Sequence, residues 1–197
     1  IICPGTFLDG LIHVGLKHFS GGRINEPACK HLADNLKELG FSILHFKTGS
    51  CPRLDKNSIS YANLIRQDGD LIPKQFSFST KNIKIKQVPC YITYTNKKTH
   101  QVIRNNLNRS PLYSGIIRAT GVRYCPSIED KIVKFADKER HQVFLEPEGA
   151  KVNDVYLNGV STSLPEDVQL EILHSIAGLE KAKVIRFGYG IEHVVVD

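Results

Sequence analysis

Residues 121–131 combine a cysteine, two cations and the predicted start of a helix. Ser127 stands where a capping residue is expected, and acidic residues follow it directly. Cys125 precedes this cap by two residues, so its thiol feels the positive end of the helix dipole, and Arg123 and Lys131 add positive charge nearby. These features favour the thiolate, the reactive form of cysteine. The segment therefore predicts a nucleophilic thiol or a cofactor phosphate site at the helix start; a buried, unreactive cysteine beside an ordinary helix is the alternative.

Residues 47–53 form a second candidate site. Lys47 and Arg53 flank a Gly-Ser turn, and two cations around a flexible turn suit contact with phosphate. The order and spacing of glycine, lysine and hydroxyl residues differ from those of a Walker loop, which excludes that nucleotide-binding motif. A plain surface loop is the alternative here.

The densest basic region runs from residue 81 to residue 109. Its cations accompany Tyr91 and Tyr94, whose rings offer stacking surfaces to unpaired bases. The alternative is a solvated surface face. The cations are Lys81, Lys84, Lys86, Lys97, Lys98, Arg104 and Arg109.

Composition limits the classes of protein to consider. The chain has 197 residues, of which 41% are hydrophobic, and a net charge of +6, which is compatible with a polyanionic partner. No apolar run approaches the roughly 18 residues of a membrane span. Five widely spaced cysteines without a CxxC pair favour free thiols and disfavour a zinc site, and Cys29 with His31 is too small a group for a metal. Apolar ends and the absence of methionine suggest a fragment of a longer protein.

The elements that must position these residues are mixed. Apolar periodicity predicts helices over residues 28–39 and 99–107, a third beginning after Ser127, and a fourth with Ser163 as its cap and Pro165 in its first turn. A loop is predicted from 47 to 73. Strands are predicted over residues 1–4, 76–80, 83–86, 88–95, 116–120, 142–146, 184–187 and 191–196. This mixture predicts an α/β (mixed α+β) fold.

Several motifs in chain order make a family resemblance specific. They are Gly5-Thr6-Phe7-Leu8, Gly21-Gly22-Arg23, Pro89-Cys90-Tyr91-Ile92-Thr93-Tyr94-Thr95-Asn96, Arg109-Ser110-Pro111, Arg123-Tyr124-Cys125-Pro126-Ser127-Ile128-Glu129-Asp130-Lys131, Phe144-Leu145-Glu146-Pro147-Glu148-Gly149, Gly159-Val160-Ser161-Thr162-Ser163-Leu164-Pro165 and Asp167-Val168-Gln169. In these stretches the chain closely resembles the GidA/MnmG family, flavoproteins that modify the wobble uridine of certain tRNAs.

The resemblance implies a homodimeric enzyme that binds FAD on a Rossmann-like domain and is reduced by NADH. It implies an MnmE-type GTPase as partner, tRNA as substrate and no membrane association. The reaction adds an aminomethyl or carboxymethylaminomethyl group to C5 of uridine, with a folate-derived carbon and with glycine or ammonium. The implied location is cytoplasmic, or organellar in a eukaryote.

The resemblance also implies roles for particular residues. Cys125 matches a cysteine that is important for activity, and its thiolate is expected to add to C6 of uracil. FAD contacts are expected at Gly5, Thr6 and Cys29, and tRNA contacts at Lys47, Arg53 and Arg123. Contacts with NADH are expected from Gly121, Val122, Arg123, Tyr124, Cys125, Pro126, Ser127, Ile128, Glu129, Asp130, Lys131, Ile132, Val133, Lys134 and Phe135.

The architecture that the resemblance implies is glutathione-reductase-like, with an α/β domain inserted into the FAD-binding domain. The expected division assigns residues 1–47 to the FAD-binding domain and 48–120 to the inserted α/β domain, which is expected to carry contacts with NADH and tRNA. Residues 121–197 form the nicotinamide-linked segment with the return to FAD-domain strands. The GxGxxG loop that seats the flavin pyrophosphate is absent from this sequence, and Cys29 stands where the family often has serine. Two alternatives are a folate- and FAD-dependent tRNA methyltransferase and a non-catalytic RNA-binding module.

Overall fold

The computed structural model describes residues 1–83 and 86–197. The strands in chain order are β1 (Leu11–Val14), β2 (Lys17–Ser20), β3 (Ile43–Ser50), β4 (Arg53–Asp55), β5 (Ile65–Gln67), β6 (Cys90–Tyr94), β7 (Thr120–Gly121), β8 (Gln142–Pro147), β9 (Asp154–Asn158), β10 (Val184–Arg186) and β11 (Tyr189–Val196). The helices are α1 (His31–Glu38), α2 (Lys97–Asn105), α3 (Ile128–Lys134) and α4 (Glu166–His174), and short 3₁₀ turns lie at Lys56–Ser58 and Leu107–Arg109.

The first sheet has the strand order β2-β1-β11-β3-β7. Its long central pair, β11 and β3, is antiparallel from Tyr189 opposite Ser50 to Val196 opposite Ile43. Helix α1 packs beside this pair through Leu36, which lies in a small apolar cluster with Val194. The two-residue strand β7 adds to β3 in parallel and brings the chain to the residues before Cys125.

The second sheet has the order β10-β4-β9-β8-β6-β5, and every neighbouring pair is antiparallel. It holds the main core together with the apolar faces of α2, α3 and α4. Apolar residues recur three or four positions apart on these helices, as in Val168 and Ile172 of α4 and Ile128 and Ile132 of α3. Each large side chain buried in this way contributes about 1.5–3 kcal/mol.

Two short connections join the sheets. Residues 51–52 lead from β3 to β4, and residues 187–188 lead from β10 back to β11. Because β3 pairs with β11 and β4 pairs with β10, two neighbouring strands pass from one sheet to the other side by side. The junction lies directly beneath the segment that carries Cys125, whose Sγ lies 3.8 Å from the carbonyl oxygen of Gly49 in β3.

The predicted mixed α/β class is confirmed, as are the four helices and the strands that became β6, β8, β10 and β11. Other local predictions are wrong. Residues 1–4 and 76–80 form no strand, the predicted loop 47–73 contains the end of β3, β4 and β5, and β1, β2 and β9 were not foreseen. The predicted strand over residues 83–86 falls partly on residues 84–85, outside the described residues.

Ser163 does not cap α4, because the residue at the N-cap position is Pro165, which offers no side-chain cap. The division at residues 47/48 and 120/121 stays a prediction. The second sheet takes strands from both sides of residue 120, since β4 pairs with β9 and β10, and β6 pairs with β8.

No helix of the described residues has the length and apolar character needed to cross a bilayer. In the same part of the chain, no three His, Cys, Asp or Glu side chains come together in an arrangement suited to a metal ion.

Candidate active site around Cys125

The segment before Cys125 is fixed to the end of β3. The amide of Val122 donates to the carbonyl oxygen of Lys47 at 3.0 Å, and the amide of Cys125 closes a turn by donating to Val122 at 3.1 Å. The Cys125 thiol lies 3.8 Å from the carbonyl oxygen of Gly49 and is partly exposed. The thiol therefore sits at the surface of the junction between the two sheets, outside the apolar cores.

The predicted start of α3 is confirmed. The Ser127 hydroxyl accepts a hydrogen bond from the amide of Asp130 at 3.2 Å, and the amide of Ile128 donates to the carbonyl of Ser161 at 2.7 Å. Two amides of the first turn are thus satisfied inside the protein, which leaves fewer donors for a phosphate than the sequence suggested. The helix spans seven residues and has Glu129 and Asp130 in its first turn, so the positive end of its dipole is partly offset.

Glu129 fixes α3 to the segment 161–163. Its carboxylate is fully buried and one oxygen, Oε1, accepts from the Thr162 hydroxyl at 3.0 Å and from the Ser163 amide at 3.3 Å. Burial raises the pKa of Glu129, and the positive charge of Lys47 and these hydrogen bonds oppose the rise. Lys47 itself is only 3% exposed. The buried side chains of Glu129 and Lys47 are therefore close enough to interact electrostatically.

Lys131 and Cys51 are two further neighbours of Cys125, and both contact the backbone of Gly159. The Lys131 ammonium donates to the carbonyl of Gly159 at 2.9 Å. Burial lowers the pKa of Lys131, and the nearby thiols of Cys51 and Cys125 oppose that shift. Burial also raises the pKa of the Cys51 thiol, against hydrogen bonds from Tyr156 and from backbone groups of Gly159 and Val160. Cys51 is consequently held as a neutral, enclosed thiol, whereas Cys125 is partly open.

A cross-strand pair of glycines permits this close packing. Gly49 of β3 lies opposite Gly190 of β11. A Cβ atom on Gly49 would stand 2.5 Å from the Ser161 Oγ, and one on Gly190 would stand 3.1 Å from the Ser163 Cβ. The bare backbone of the two strands is therefore what lets the segment 161–163 approach the first sheet.

We expect Gly49→Ala to destabilise the protein by about 1–3 kcal/mol, because the added methyl group collides with the Ser161 hydroxyl. Ser161→Ala removes that oxygen, and the next nearest atom of residue 161 is 3.9 Å away, so the double variant should recover most of the loss. Urea denaturation of the four proteins measures this. Gly121→Ala is the matched control, since a Cβ there meets nothing within 4 Å; an equal loss in that control would contradict the steric explanation.

The residues predicted to contact nicotinamide divide into an exposed and a buried set. Arg123 and Tyr124 are exposed neighbours of Cys125, and the guanidinium carbon of Arg123 lies 5.3 Å from the centroid of the Tyr124 ring, which is 86% exposed. The exposed set is Gly121, Val122, Arg123, Tyr124, Val133, Lys134 and Phe135. The buried set is Ser127, Ile128, Glu129 and Ile132, and these residues hold the helix in the core. Cys125, Pro126, Asp130 and Lys131 are intermediate.

A protein-family model described as "Glucose inhibited division protein A" matches residues 1–197. The chain belongs to this family. Two relatives named "tRNA uridine 5-carboxymethylaminomethyl modification enzyme MnmG" are each 56% identical to it. The one from Thermodesulfovibrio yellowstonii matches over 98% of this chain and 31% of its own length. The one from Syntrophotalea carbinolica matches over 100% and 32%.

Two solved structures of Aquifex aeolicus GidA are similar to this chain. The form I crystal structure gives a TM-score of 0.88 at 52% identity over 98% of this chain and 33% of that chain. The form II structure gives 0.87 at 48% identity over 98% and 31%. The chain therefore spans about a third of the length of the relatives it matches. The resemblance inferred from the motifs is confirmed.

Two of the cations predicted to contact tRNA in this GidA-family chain face inward. Lys47 is buried, and its positive charge is near enough to Glu129 to oppose the rise in the pKa of that carboxyl group. The guanidinium of Arg53 donates to Glu148 at 3.0 Å and to the carbonyl of Cys51 at 2.9 Å, and it stacks 4.5 Å from the centroid of Tyr156. Both side chains are poorly placed for RNA at the surface. Sequence reasoning missed these inward roles, because only the tertiary partners reveal them.

The three residues predicted to contact FAD come together at one exposed corner. The amide of Cys29 donates to the carbonyl of Phe7 at 2.8 Å, which places Cys29 beside the stretch that contains Gly5 and Thr6. Gly5 has a φ of +55° and no atom within 4 Å of its Cβ position, and the Cys29 thiol is exposed. The Thr6 hydroxyl donates to the carbonyl of Gly22 at 2.6 Å and so fixes the corner. The exposed backbone of Gly5 and the exposed thiol of Cys29 leave this corner open, and its contacts with FAD stay a prediction.

Proposed function

We propose that the protein to which this chain belongs adds an aminomethyl or carboxymethylaminomethyl group to C5 of the wobble uridine of tRNA. The observation that carries the proposal is the 56% identity to relatives named for this modification, which extends over 98% or more of the chain. The site supports it, because a partly exposed thiol lies beside an exposed arginine and tyrosine. A ring can stack on these two side chains while its edge faces the thiol.

FAD and NADH are the cofactors in this proposal. When bound, NADH would transfer a hydride to FAD, and this reduction of the flavin is the redox chemistry that the cofactors supply. Gly5 and Cys29 would line the flavin at the exposed corner, and the exposed residues from Gly121 to Tyr124 would contact the nicotinamide. Thr6 would stabilise the corner instead of contacting the flavin through its side chain, because its hydroxyl already donates to the carbonyl of Gly22.

Cys125 would form the covalent bond to the base. Its thiolate adds to C6 of uracil, and the electron pair of the C5–C6 double bond moves to C5 and the neighbouring carbonyl. C5 then bonds to the methylene carbon of a methylenetetrahydrofolate. Loss of the C5 proton breaks the bond from that carbon to the folate nitrogen, so tetrahydrofolate leaves and an exocyclic methylene group remains on C5. The amine of glycine or ammonium adds to this methylene group, and the electron pair returned to C5 expels the Cys125 thiolate from C6, which restores the C5–C6 double bond. Arg123 precedes Cys125 by two residues, is exposed, and is suited to a phosphate of the same nucleotide.

The remaining parts of the proposal concern assembly and location. A homodimer, a GTPase partner of the MnmE type and a cytoplasmic location (organellar in a eukaryote) are those implied by the family. The net charge of +6 is compatible with tRNA as a partner.

The test uses the full-length protein with its GTPase partner. Flavin reduction by NADH is followed by absorbance, and nucleosides from treated tRNA are analysed by mass spectrometry. We expect NADH to bleach the flavin and the C5-modified wobble uridine to appear. A simple C5 methyl group would instead indicate a methyltransferase, and salt-sensitive tRNA binding without flavin reduction would indicate a binding module.

A further inference from the structure

A cavity of about 500 Å³ lies where the edge pair β5–β6 meets the start of α2, outside the site around Cys125. Tyr94 forms an aromatic part of its wall, and Lys97 and Arg140 bring positive charge. Glu139 is an acidic group in the lining. Aliphatic side chains of the two strands, including Ile65 and Ile92, complete an apolar floor. The cavity therefore offers an aromatic and apolar interior with cations at its edge.

The cations of this cavity are available to a ligand. Within residues 1–83 and 86–197, neither Lys97 nor Arg140 forms an ion pair, although Glu139 lies in the same lining. The guanidinium carbon of Arg140 lies 4.3 Å from the centroid of the Tyr94 ring, and both Lys97 and Arg140 are exposed. An arginine stacked on a tyrosine presents its own flat outer face, on which a base can stack in turn.

The walls of the cavity are fixed in place. The Asn96 side chain caps α2 by accepting from the Thr99 amide at 3.0 Å, and it donates to the carbonyl of Ser175 at 2.6 Å. The hydroxyls of Thr99 and Ser175 lie 2.7 Å apart, and the Thr93 hydroxyl donates to Ala177 at 3.0 Å. Lys97 therefore projects from a rigid helix start, so little ordering of the backbone opposes ligand binding.

Only one of the two tyrosines marked by the sequence is available for stacking. Tyr91 packs against Tyr61 with ring centroids 4.6 Å apart and lies against the main core. Tyr94 points to the cavity lining.

We propose that this cavity binds one unpaired nucleotide of the RNA substrate. The base stacks on the Arg140–Tyr94 pair, and a neighbouring phosphate contacts Lys97. This inference rests on the proposed function, because it assumes that tRNA is the substrate. The cavity would add a binding contact remote from Cys125, and it would contribute to RNA affinity without taking part in the reaction.

The test measures tRNA affinity of the full-length protein with Tyr94→Ala, Arg140→Ala and Lys97→Gln. We expect Tyr94→Ala to weaken binding about 5- to 100-fold through loss of base stacking, and Tyr94→Phe to bind nearly as the wild type. Lys97→Gln should lower the slope of log affinity against log salt by about one. Lys98→Gln is the matched control, because it removes the same charge from the next residue of α2, which does not line the cavity.

NADH-dependent flavin reduction without tRNA should stay unchanged in these variants and shows that they are folded. Wild-type protein that modifies tRNA, together with variants that bind tRNA as tightly as wild type, would overturn the cavity proposal and leave the proposed function standing. A raised KM for NADH with unchanged tRNA affinity would also overturn it and assign the cavity to a free dinucleotide. Absence of tRNA modification in the wild type would instead reject the proposed function itself.

Discussion

Cys125→Ser is expected to lower the rate of C5 modification by the full-length protein more than about 100-fold, because a serine hydroxyl is a far weaker nucleophile at neutral pH than a thiol. The hydroxyl fits the same place, since Cys125 contacts the Gly49 carbonyl through its sulfur at 3.8 Å and is partly exposed. Tm and flavin reduction by NADH should therefore remain close to those of the wild type. The measurement is the yield of modified nucleoside per minute at saturating NADH.

Cys3→Ser is the control for this variant, because Cys3 is an exposed free thiol remote in the chain from the candidate site. It should keep wild-type activity. A Cys125→Ser protein that modified tRNA at the wild-type rate would remove the covalent role from Cys125. The exposed Arg123 and Tyr124 would then be sufficient to bind the base without it.

Glu129→Ala is expected to have the largest effect on stability, a loss of about 3–5 kcal/mol in the free energy of unfolding. It removes the acceptor for the Thr162 hydroxyl and the Ser163 amide, both of which are buried and would be left without a partner. It also opens a cavity at the start of α3. Urea denaturation of the wild-type and variant proteins measures the difference.

Glu129→Gln separates the charge from the hydrogen bonds and should cost less than the alanine variant, since an amide oxygen still accepts from Thr162. Burial raises the pKa of Glu129, so the folded protein holds the carboxyl proton more tightly than the unfolded chain. The stability that this tighter proton binding contributes is fully present below the ordinary glutamate pKa of about 4.3. It is lost as the pH rises through the pKa that Glu129 has in the folded protein. The glutamine variant should lack this pH dependence. An alanine variant as stable as wild type would show that Glu129 does not fasten α3.

The helices could be predicted from the sequence because their signals are local. Ser127 caps α3 and Asn96 caps α2, each through a side-chain oxygen that accepts from an amide three residues on. The hairpin β1–β2 was missed because glycines punctuate that stretch, which resembles a loop when read alone. Residues 76–80 show the reverse error, because Phe76 and Phe78 alternate with polar residues as in a strand. Both rings are fully exposed, and no partner strand pairs with them among the described residues.

The candidate site was partly predictable for a related reason. The position of Cys125 before a capped helix can be seen in the sequence, and the structure places the thiol there. Lys47 is buried within electrostatic range of Glu129, and Arg53 bonds to Glu148 and stacks on Tyr156. Contacts of this kind join residues about 80 to 100 positions apart, and no periodic pattern encodes them.

The two neighbouring connections between the sheets have a mechanical consequence. The segment that carries Cys125 is bonded to β3 through its backbone and its sulfur atom, and the helix that follows is embedded in the other core. A change in the angle between the two sheets would therefore have to be absorbed by the short stretch from Cys125 to Ser127. A substitution far from the thiol that alters this angle would change the backbone geometry beside it.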